Sequence, residues 1–337
     1  MKLEHIYPEG YRPELGLLDT QRAIKALKDS FQQQLSASLN LTRVSAPLFV
    51  PKDTGLNDDL NGTERKVSFD VKDAPGRDVE VVQSLAKWKR YALGRYGYEP
   101  GSGIYTDMNA IRRDEVTDNL HSVYVDQWDW EKVIRRQERT LDTLYDAVNR
   151  IHRSILDAED MLHSRFPVLM PRLPERISFI TSEELRRMYP DLTPEEREAV
   201  YTRDKKAVFI AQIGGALGDG KPHGFRAPDY DDWSLNGDIL YYHRELDCAL
   251  EISSMGIRVD EDAMRAQLRL SGHEERASLP FHSALLRGEL PLTMGGGIGQ
   301  SRLCMLLLHK AHVGEVQCGV WPEEVTRMYT EQGVTLL

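Results

Sequence analysis

The chain has 337 residues, enough for one large domain or two small ones at roughly 100 to 200 residues each. At 41% hydrophobic and 28% charged, with 25 glycines and 16 prolines, its composition is ordinary for a globular protein and excludes disorder, collagen and coiled coil. The 43 basic and 53 acidic residues leave a net charge of -10, the wrong sign for gripping nucleic acid by its phosphates, so a small, charged substrate is favoured.

No apolar run approaches the roughly 18 residues of a membrane span, and Glu4 and Glu9 fall where a signal peptide would be apolar, so a cytoplasmic protein without membrane contact is expected. Cys248, Cys304 and Cys318 lack CxxC spacing and are expected to be buried free thiols. Residues 19 to 39 carry Ile24, Leu27, Phe31 and Leu35 at helical spacing after an Asp19/Thr20 cap. Val44, Ala46, Leu48 and Val50 then alternate as a strand does. VSFDV and VEVVQ flank the turn-rich DAPGRD as a hairpin, and a short helix runs from Leu85 to near Gly94. GIYTDMNAIRR and HSVYVDQWDW form a strand pair around the polar loop DEVTDN. From Val133 to Phe166 the repeat of Leu141, Leu144, Val148, Ile151 and Ile155 predicts one long amphipathic helix. Capping boxes at Thr181 and Thr193 start two short helices before the strand AVFIAQI. Strands DILYYHRE and CALEISSMGIRV, helices near 260 to 271 and 279 to 288, and a last helix from Gly299 to Lys310 follow. Adjacent strands without βαβ alternation predict an α+β fold, an antiparallel sheet flanked by helices.

Two glycine runs invite a phosphate-binding reading. Gly215 to Lys221 matches GxxxxGK, but Pro222 stands where Ser or Thr would ligate Mg²⁺, so a surface loop is expected. Gly295-Gly-Gly-Ile-Gly299-Gln-Ser-Arg302 leads into the apolar LCMLLLHK. On its own it fits equally a backbone closing on a flat ligand with Arg302 against phosphate or purine, or a tight helix start with a surface arginine. His309 and His312 have no third metal-ligand partner and read as structural.

The spacing GxGxGxxR resembles motif 3 of class II aminoacyl-tRNA synthetases. Ile111-Arg112-Arg113-Asp114-Glu115, one strand before a polar loop and a returning strand, resembles their motif 2, which implies Arg112 on the α-phosphate of ATP and Glu115 on the nucleotide. Ala46-Pro47 resembles motif 1, the dimerisation element, and implies a homodimer built partly on residues 19 to 50. Gln83-Ser84-x-x-x-x-Lys89 resembles the segment by which aspartyl-type synthetases surround aspartate. Glu251-Ile-Ser-Ser254-Met-Gly-Ile-Arg258 resembles their terminal-strand element. These imply Ser84, Lys89, Ser254 and Arg258 as substrate contacts, with Lys89 and Arg258 converging on the substrate carboxylate. A bidentate guanidinium plus an ammonium is what a desolvated carboxylate requires. Arg302 is implied at the ATP tail or adenine face, and Asp238 and Glu251, on neighbouring predicted strands, as Mg²⁺ ligands.

From about residue 20 to 325 the chain resembles the aspartate-ammonia ligase family through DDLNG (58–62), SLAKWKR (84–90), HSVYVDQWDWE (121–131), RAPDYDDW (226–233), LNGDIL (235–240), SSMGIRVD (253–260) and GGGIGQSR (295–302). It departs from the family pattern at Gln83, where histidine is usual, and in a short connection from Trp233 to Leu235. The resemblance implies ATP-dependent amidation of L-aspartate by ammonia to L-asparagine, AMP and pyrophosphate through a β-aspartyl adenylate. It also implies one catalytic domain over residues 1–337, since the 46 residues before Pro47 leave no room for an anticodon-binding module. Ammonia is mostly ammonium at neutral pH, so the second step needs an acidic base. Asp58 and Asp231, each beside other carboxylates, are the two candidates. Gln127 and Asp129, two apart on one strand face, resemble the family's substrate-contacting pair and are expected at the α-amino group, while Trp128 and Trp130 face the core. A paralogue passing the acyl group to RNA would need a basic groove. A dead aspartate- or nucleotide-binding regulator would have lost residues such as Arg112, Glu251 and Arg302, all of which are present.

Overall fold

A computed structural model describes residues 5–60 and 64–337, so Asn61 and Gly62 of the DDLNG string lie outside the described residues. Helix α1 (Leu17–Leu39) buries Leu27, Phe31, Leu35 and Leu39 along one stripe and stops at Asn40, which adopts the left-handed conformation at φ 59°. Its N-cap is Gly16 and not the expected Asp19/Thr20 pair; Asp19 instead sits in the first turn, where its charge complements the helix dipole. The alternation from Val44 to Val50 does not make one strand. β1 (Leu41–Arg43) and β2 (Phe49–Pro51) lie either side of Pro47, which has no N–H to give a ladder. The hairpin is β3 (Ser68–Phe69) with β4 (Val79–Val81), and β2 pairs on the other side of β4. Helix α2 (Ala86–Tyr96) leads to β5 (Gly103–Ile111) and β6 (Tyr124–Val133), antiparallel from Gly103 opposite Lys132 to Ile111 opposite Tyr124.

Helix α3 (Leu141–Arg165) starts later than the sequence suggests. β6 claims the chain as far as Val133, and the Thr140 hydroxyl caps α3 by accepting the Thr143 N–H at 3.2 Å. A strand β7 (Ser178–Thr181), too short to be legible, precedes α4 (Ser182–Met188) and α5 (Pro194–Lys205), and both capping boxes form: Glu184 and Glu196 accept the Thr181 and Thr193 N–H at 2.9 and 2.8 Å. Then come β8 (Ala207–Ala211), β9 (Asp231–His243), β10 (Cys248–Arg258), α6 (Glu261–Ser271) and α7 (Pro280–Leu286). The glycines of the second run form a strand, β11 (Thr293–Gly299), and Gly299 caps the helix that follows, α8 (Gln300–Leu307), so the run does lead into a helix start. A further helix, α9 (Glu323–Glu331), ends the described chain. Among the described residues no helix is long and apolar enough to cross a membrane.

The main sheet has the order β1-β5-β6-β11-β10-β9-β8-β7; its edge pairs β1–β5 and β7–β8 are parallel and the rest antiparallel. One face packs on α1 and α3. There Trp128 and Trp130 are buried, and Phe31 of α1 meets Trp128 at 4.7 Å between ring centroids. By strand alternation the opposite face carries Gln127, Asp129 and Glu131. Gly215 to Lys221 is a surface loop, hydrogen-bonded through the Gly218 N–H to Glu183. Of the three unpaired cysteines Cys304 is buried and Cys248 half-buried, but Cys318 is exposed, against expectation.

Candidate active site

A cleft of about 500 Å³ opens over the sheet face opposite α1 and α3, along β6, β11 and β10. Its lining includes Asp58, Ser84, Lys89, Arg112, Glu115, Gln127, Asp129, Asp231, Glu251, Ser254, Arg258 and Arg302. Of the residues given a site role from the sequence, Asp238 alone is absent from that lining.

The floor is a charge network. Arg258 donates through Nε and Nη2 to Glu131 at 3.0 and 2.8 Å and through Nη1 to Asp231. The Lys89 ammonium donates to Asp129 and to the carbonyls of Trp130 and Gly296 at 3.0 and 3.2 Å, and its Nζ stands 3.8 Å from Glu131. The two cations converge on the protein's own Glu131. An ammonium has three N–H bonds, and Lys89 has given them all. A guanidinium has five, and Arg258 keeps two beyond these bonds. Burial opposes the charge on both groups. It lowers the Lys89 pKa despite Asp129 and Glu131, whereas Glu131 and Asp231 outweigh it at Arg258, whose pKa is raised.

Glu131 is one residue that sequence reasoning missed. Gln127, Asp129 and Glu131 share one face by simple alternation, so the pattern that found the first two contained the third. These side chains also explain the glycine run. A Cβ on Gly297 would occupy the position of the Gln127 amide, and one on Gly295 that of the Glu131 carboxylate. The central strand is bare so that its neighbours' polar side chains can lie across it.

Arg112 ends the β5–β6 pair, its N–H held by the Val123 carbonyl at 2.9 Å, and its buried Nε has no hydrogen-bond partner among the described residues. The Glu115 N–H closes back on the Arg112 carbonyl at 3.1 Å. Across the cleft, Arg302 donates to the Glu251 carbonyl at 3.0 Å and stands 3.9 Å from its carboxylate. Asp238 lies behind Arg226, which bridges it to the Ser254 hydroxyl. Arg226 was also missed, although it begins the string RAPDYDDW. Asp238 and Glu251 are nonetheless close: Glu251 pairs in register with Leu240, two residues along β9 from Asp238 on the same face. Burial, set against Arg226 and reinforced by the charge of Glu251, pushes the Asp238 pKa up to about 6.

The two base candidates differ. Asp231 is buried and ion-paired with Arg258. Asp58 is also buried, but its near charges oppose one another, Lys87 lowering and Asp229 raising its pKa. Burial dominates and holds that pKa above the usual carboxylate range. Asp229 is itself clasped by Lys87, His282 and Arg276 at 3.1, 2.9 and 3.3 Å. Of the two histidines set aside as structural, His312 accepts the Gly314 N–H at 3.0 Å and His309 lies 3.2 Å from Glu14.

The profile of the family described as aspartate-ammonia ligase matches residues 18–333. The chain belongs to this family. It is 57% identical to the aspartate-ammonia ligase of Ruminiclostridium cellulolyticum over 98% of this chain and 99% of that one. It is 56% identical to that of Clostridium perfringens, over 98% of each. Among solved structures, asparaginyl-tRNA synthetase from Pyrococcus horikoshii complexed with asparaginyl-adenylate superposes with a TM-score of 0.65 at 13% identity, over 91% of this chain and 70% of that one. The asparaginyl-tRNA synthetase of Entamoeba histolytica, with 14% identity, gives 0.63 over 89% of this chain and 66% of that one. The ligase therefore has the fold of a class II synthetase catalytic domain.

Proposed function

We propose that this ligase amidates the side chain of L-aspartate with ammonia at the expense of ATP, giving L-asparagine, AMP and pyrophosphate through a β-aspartyl adenylate. The adenylating route is supported by one observation above the others: Arg112, Arg302 and Arg258 line a single cleft with Asp58 and Glu251. A carboxylate is a poor electrophile until one oxygen becomes a leaving group. In the first step a side-chain oxygen of aspartate attacks the α-phosphorus of ATP and pyrophosphate departs, with Arg112 neutralising the developing charge and Arg302 holding the nucleotide. Arg258 grips the substrate carboxylate with its two uncommitted N–H bonds. Lys89 serves as a support, fixing Asp129, which together with Gln127 receives the α-amino group; Ser84 and Ser254 complete the pocket. In the second step the nitrogen of ammonia attacks the acyl carbon, the C–N bond forms, the bond to the AMP oxygen breaks, and Asp58 accepts the proton.

The residues fit Mg²⁺. Glu251 and Asp238 offer oxygen donors only and lie on neighbouring strands, with Asp238 also paired to Arg226. Bound there, Mg²⁺ would neutralise polyphosphate charge. Incubation with aspartate, ATP, Mg²⁺ and ammonium, without RNA, should yield asparagine and AMP in equal amounts; stoichiometric ADP would overturn the adenylating route.

The same reading includes a homodimer built partly on residues 19 to 50. In its favour, Leu48, Phe49 and Phe69 are exposed, with Phe49 edge-on to Phe69 at 5.1 Å, an apolar patch on the segment that follows α1. Sedimentation at micromolar protein should give twice the chain mass, and a fully active monomer would contradict it. The unpaired cysteines suit a cytoplasmic enzyme.

A further inference from the structure

The loop from Arg113 to Val123 carries Leu120, His121 and Ser122 into the cleft beside Arg112. A loop at that point needs to be held, because Arg112 and its neighbours meet the most highly charged part of the substrate. What holds it is Asn119, which is fully buried. Its Oδ1 accepts the Ile6 N–H at 2.8 Å. Its Nδ2 lies within hydrogen-bond reach of the carbonyls of Ile6 and Ala311, at 2.9 and 2.7 Å, and of the Tyr329 hydroxyl at 3.0 Å. The Tyr329 hydroxyl donates in turn to the Ile6 carbonyl at 2.8 Å. The Asn119 carbonyl accepts the Val313 N–H at 2.8 Å, and Val313 is itself a wall of the cleft. One side chain and its own backbone thus tie together the segment at residues 5–6, the loop after Arg112, the turn after α8 and helix α9. The adjacent Asp118 accepts the N–H groups of Leu120 and His121 at 2.7 and 2.8 Å, which sets the turn as it enters the cleft.

Only an amide serves here. A carboxylate would face the carbonyls of Ile6 and Ala311, and an apolar residue would leave several buried polar groups unpaired. Among the described residues the hydrogen bonds of Asn119 share no partner with the network of Arg258, Lys89, Glu131 and Asp231, which lies on β10, α2, β6 and the start of β9.

We infer that Asn119 is a positioning residue for the nucleotide. By joining residues 5–6, Ala311–Val313 and Tyr329 it fixes Leu120, His121, Ser122 and Val313 around the end of the cleft that holds Arg112. The inference rests on the adenylation reading and adds to it an anchor for ATP remote from the reacting atoms.

The test is aspartate-dependent exchange of pyrophosphate into ATP by Asn119→Ala and Tyr329→Phe, with melting temperatures measured alongside. Asn119→Ala should raise the KM for ATP about tenfold or more, the equivalent of one buried hydrogen bond left unmade. The KM for aspartate should stay within about twofold, since uniform loss of binding at one substrate moves one constant. Tyr329→Phe keeps the ring and removes one hydroxyl, so it should raise the KM for ATP by less, and it carries the test if Asn119→Ala does not fold. An unchanged KM for ATP in a variant whose melting temperature falls would reduce Asn119 to a purely structural role and overturn the inference, as would equal rises for both substrates. If the unaltered enzyme shows no exchange, the adenylation reading fails instead. Calorimetric ATP binding by the same variants then decides the role of Asn119, with a weakened affinity expected and an unchanged one overturning it.

Discussion

Arg112→Ala is expected to abolish aspartate-dependent pyrophosphate exchange, by about 10³- to 10⁵-fold if this arginine matters as much as those that neutralise phosphoryl transfer elsewhere. The argument is positional. Arg112 stands where β5 gives way to the loop, its backbone fixed by Val123 just before the returning strand, and its buried Nε has no hydrogen-bond partner among the described residues. An unmade donor held by strand pairing costs no reorganisation when charge develops in front of it. Its neighbours in the cleft cannot substitute. In the reading above Arg302 is committed to another part of the nucleotide and Arg258 to the aspartate carboxylate, and Arg226 is engaged by Asp238 and Ser254. Arg112→Lys keeps a charge but loses the planar fork, so it should recover only part of the rate. Raising pH or ammonium should rescue neither variant, because the lesion precedes the amine. Exchange by Arg112→Ala within tenfold of the unaltered rate would remove Arg112 from the α-phosphate.

The ease with which the cleft could be assembled from sequence has a physical basis. Period-two alternation on β6 put Gln127 and Asp129 on the face opposite Trp128 and Trp130, and the structure keeps that division. Apolar spacing found α1 and α3 because their buried stripes are long. What escaped was decided by contacts distant in sequence. Gly295 to Gly299 has little local preference for a strand, and becomes one only because Gln127 and Glu131 from β6 fill the space that its side chains would need. The start of α3 was set by the competing claim of β6, and the break at Pro47 by a missing N–H. The convergence of Lys89 and Arg258 was legible, but the shared Glu131 beside them was not. Whether two cations grip a ligand or a protein carboxylate depends on Glu131, 42 residues from Lys89 and 127 from Arg258 in the chain.

The same limit applies to the base, where sequence left Asp58 and Asp231 level and their surroundings separate them. Asp58→Asn should leave pyrophosphate exchange largely intact and slow asparagine formation by about 10²- to 10⁴-fold, the usual cost of losing a general base. The carboxylate of Asp58 is the form that accepts a proton. Because burial and Asp229 raise its pKa above the ordinary range against the pull of Lys87, the amide-forming step in the unaltered enzyme should fall as pH drops through that raised value, before ordinary carboxylates titrate. In Asp58→Asn this acidic limb should vanish. Raising pH should restore part of the rate, since more of the amine is then free ammonia that needs no deprotonation before attack. Asp231→Asn should fail differently. It replaces the charged acceptor of the Arg258 Nη1 donor by a neutral amide and leaves Glu131 as the only anion pairing that guanidinium, so the KM for aspartate should rise and exchange should be lost together with amidation. Parallel measurements of exchange and asparagine formation in the two variants separate these outcomes. If Asp231→Asn keeps exchange and loses only the ammonia step, while Asp58→Asn loses both, the roles are reversed: the ion pair with Arg258 opens during turnover and Asp231 takes the proton.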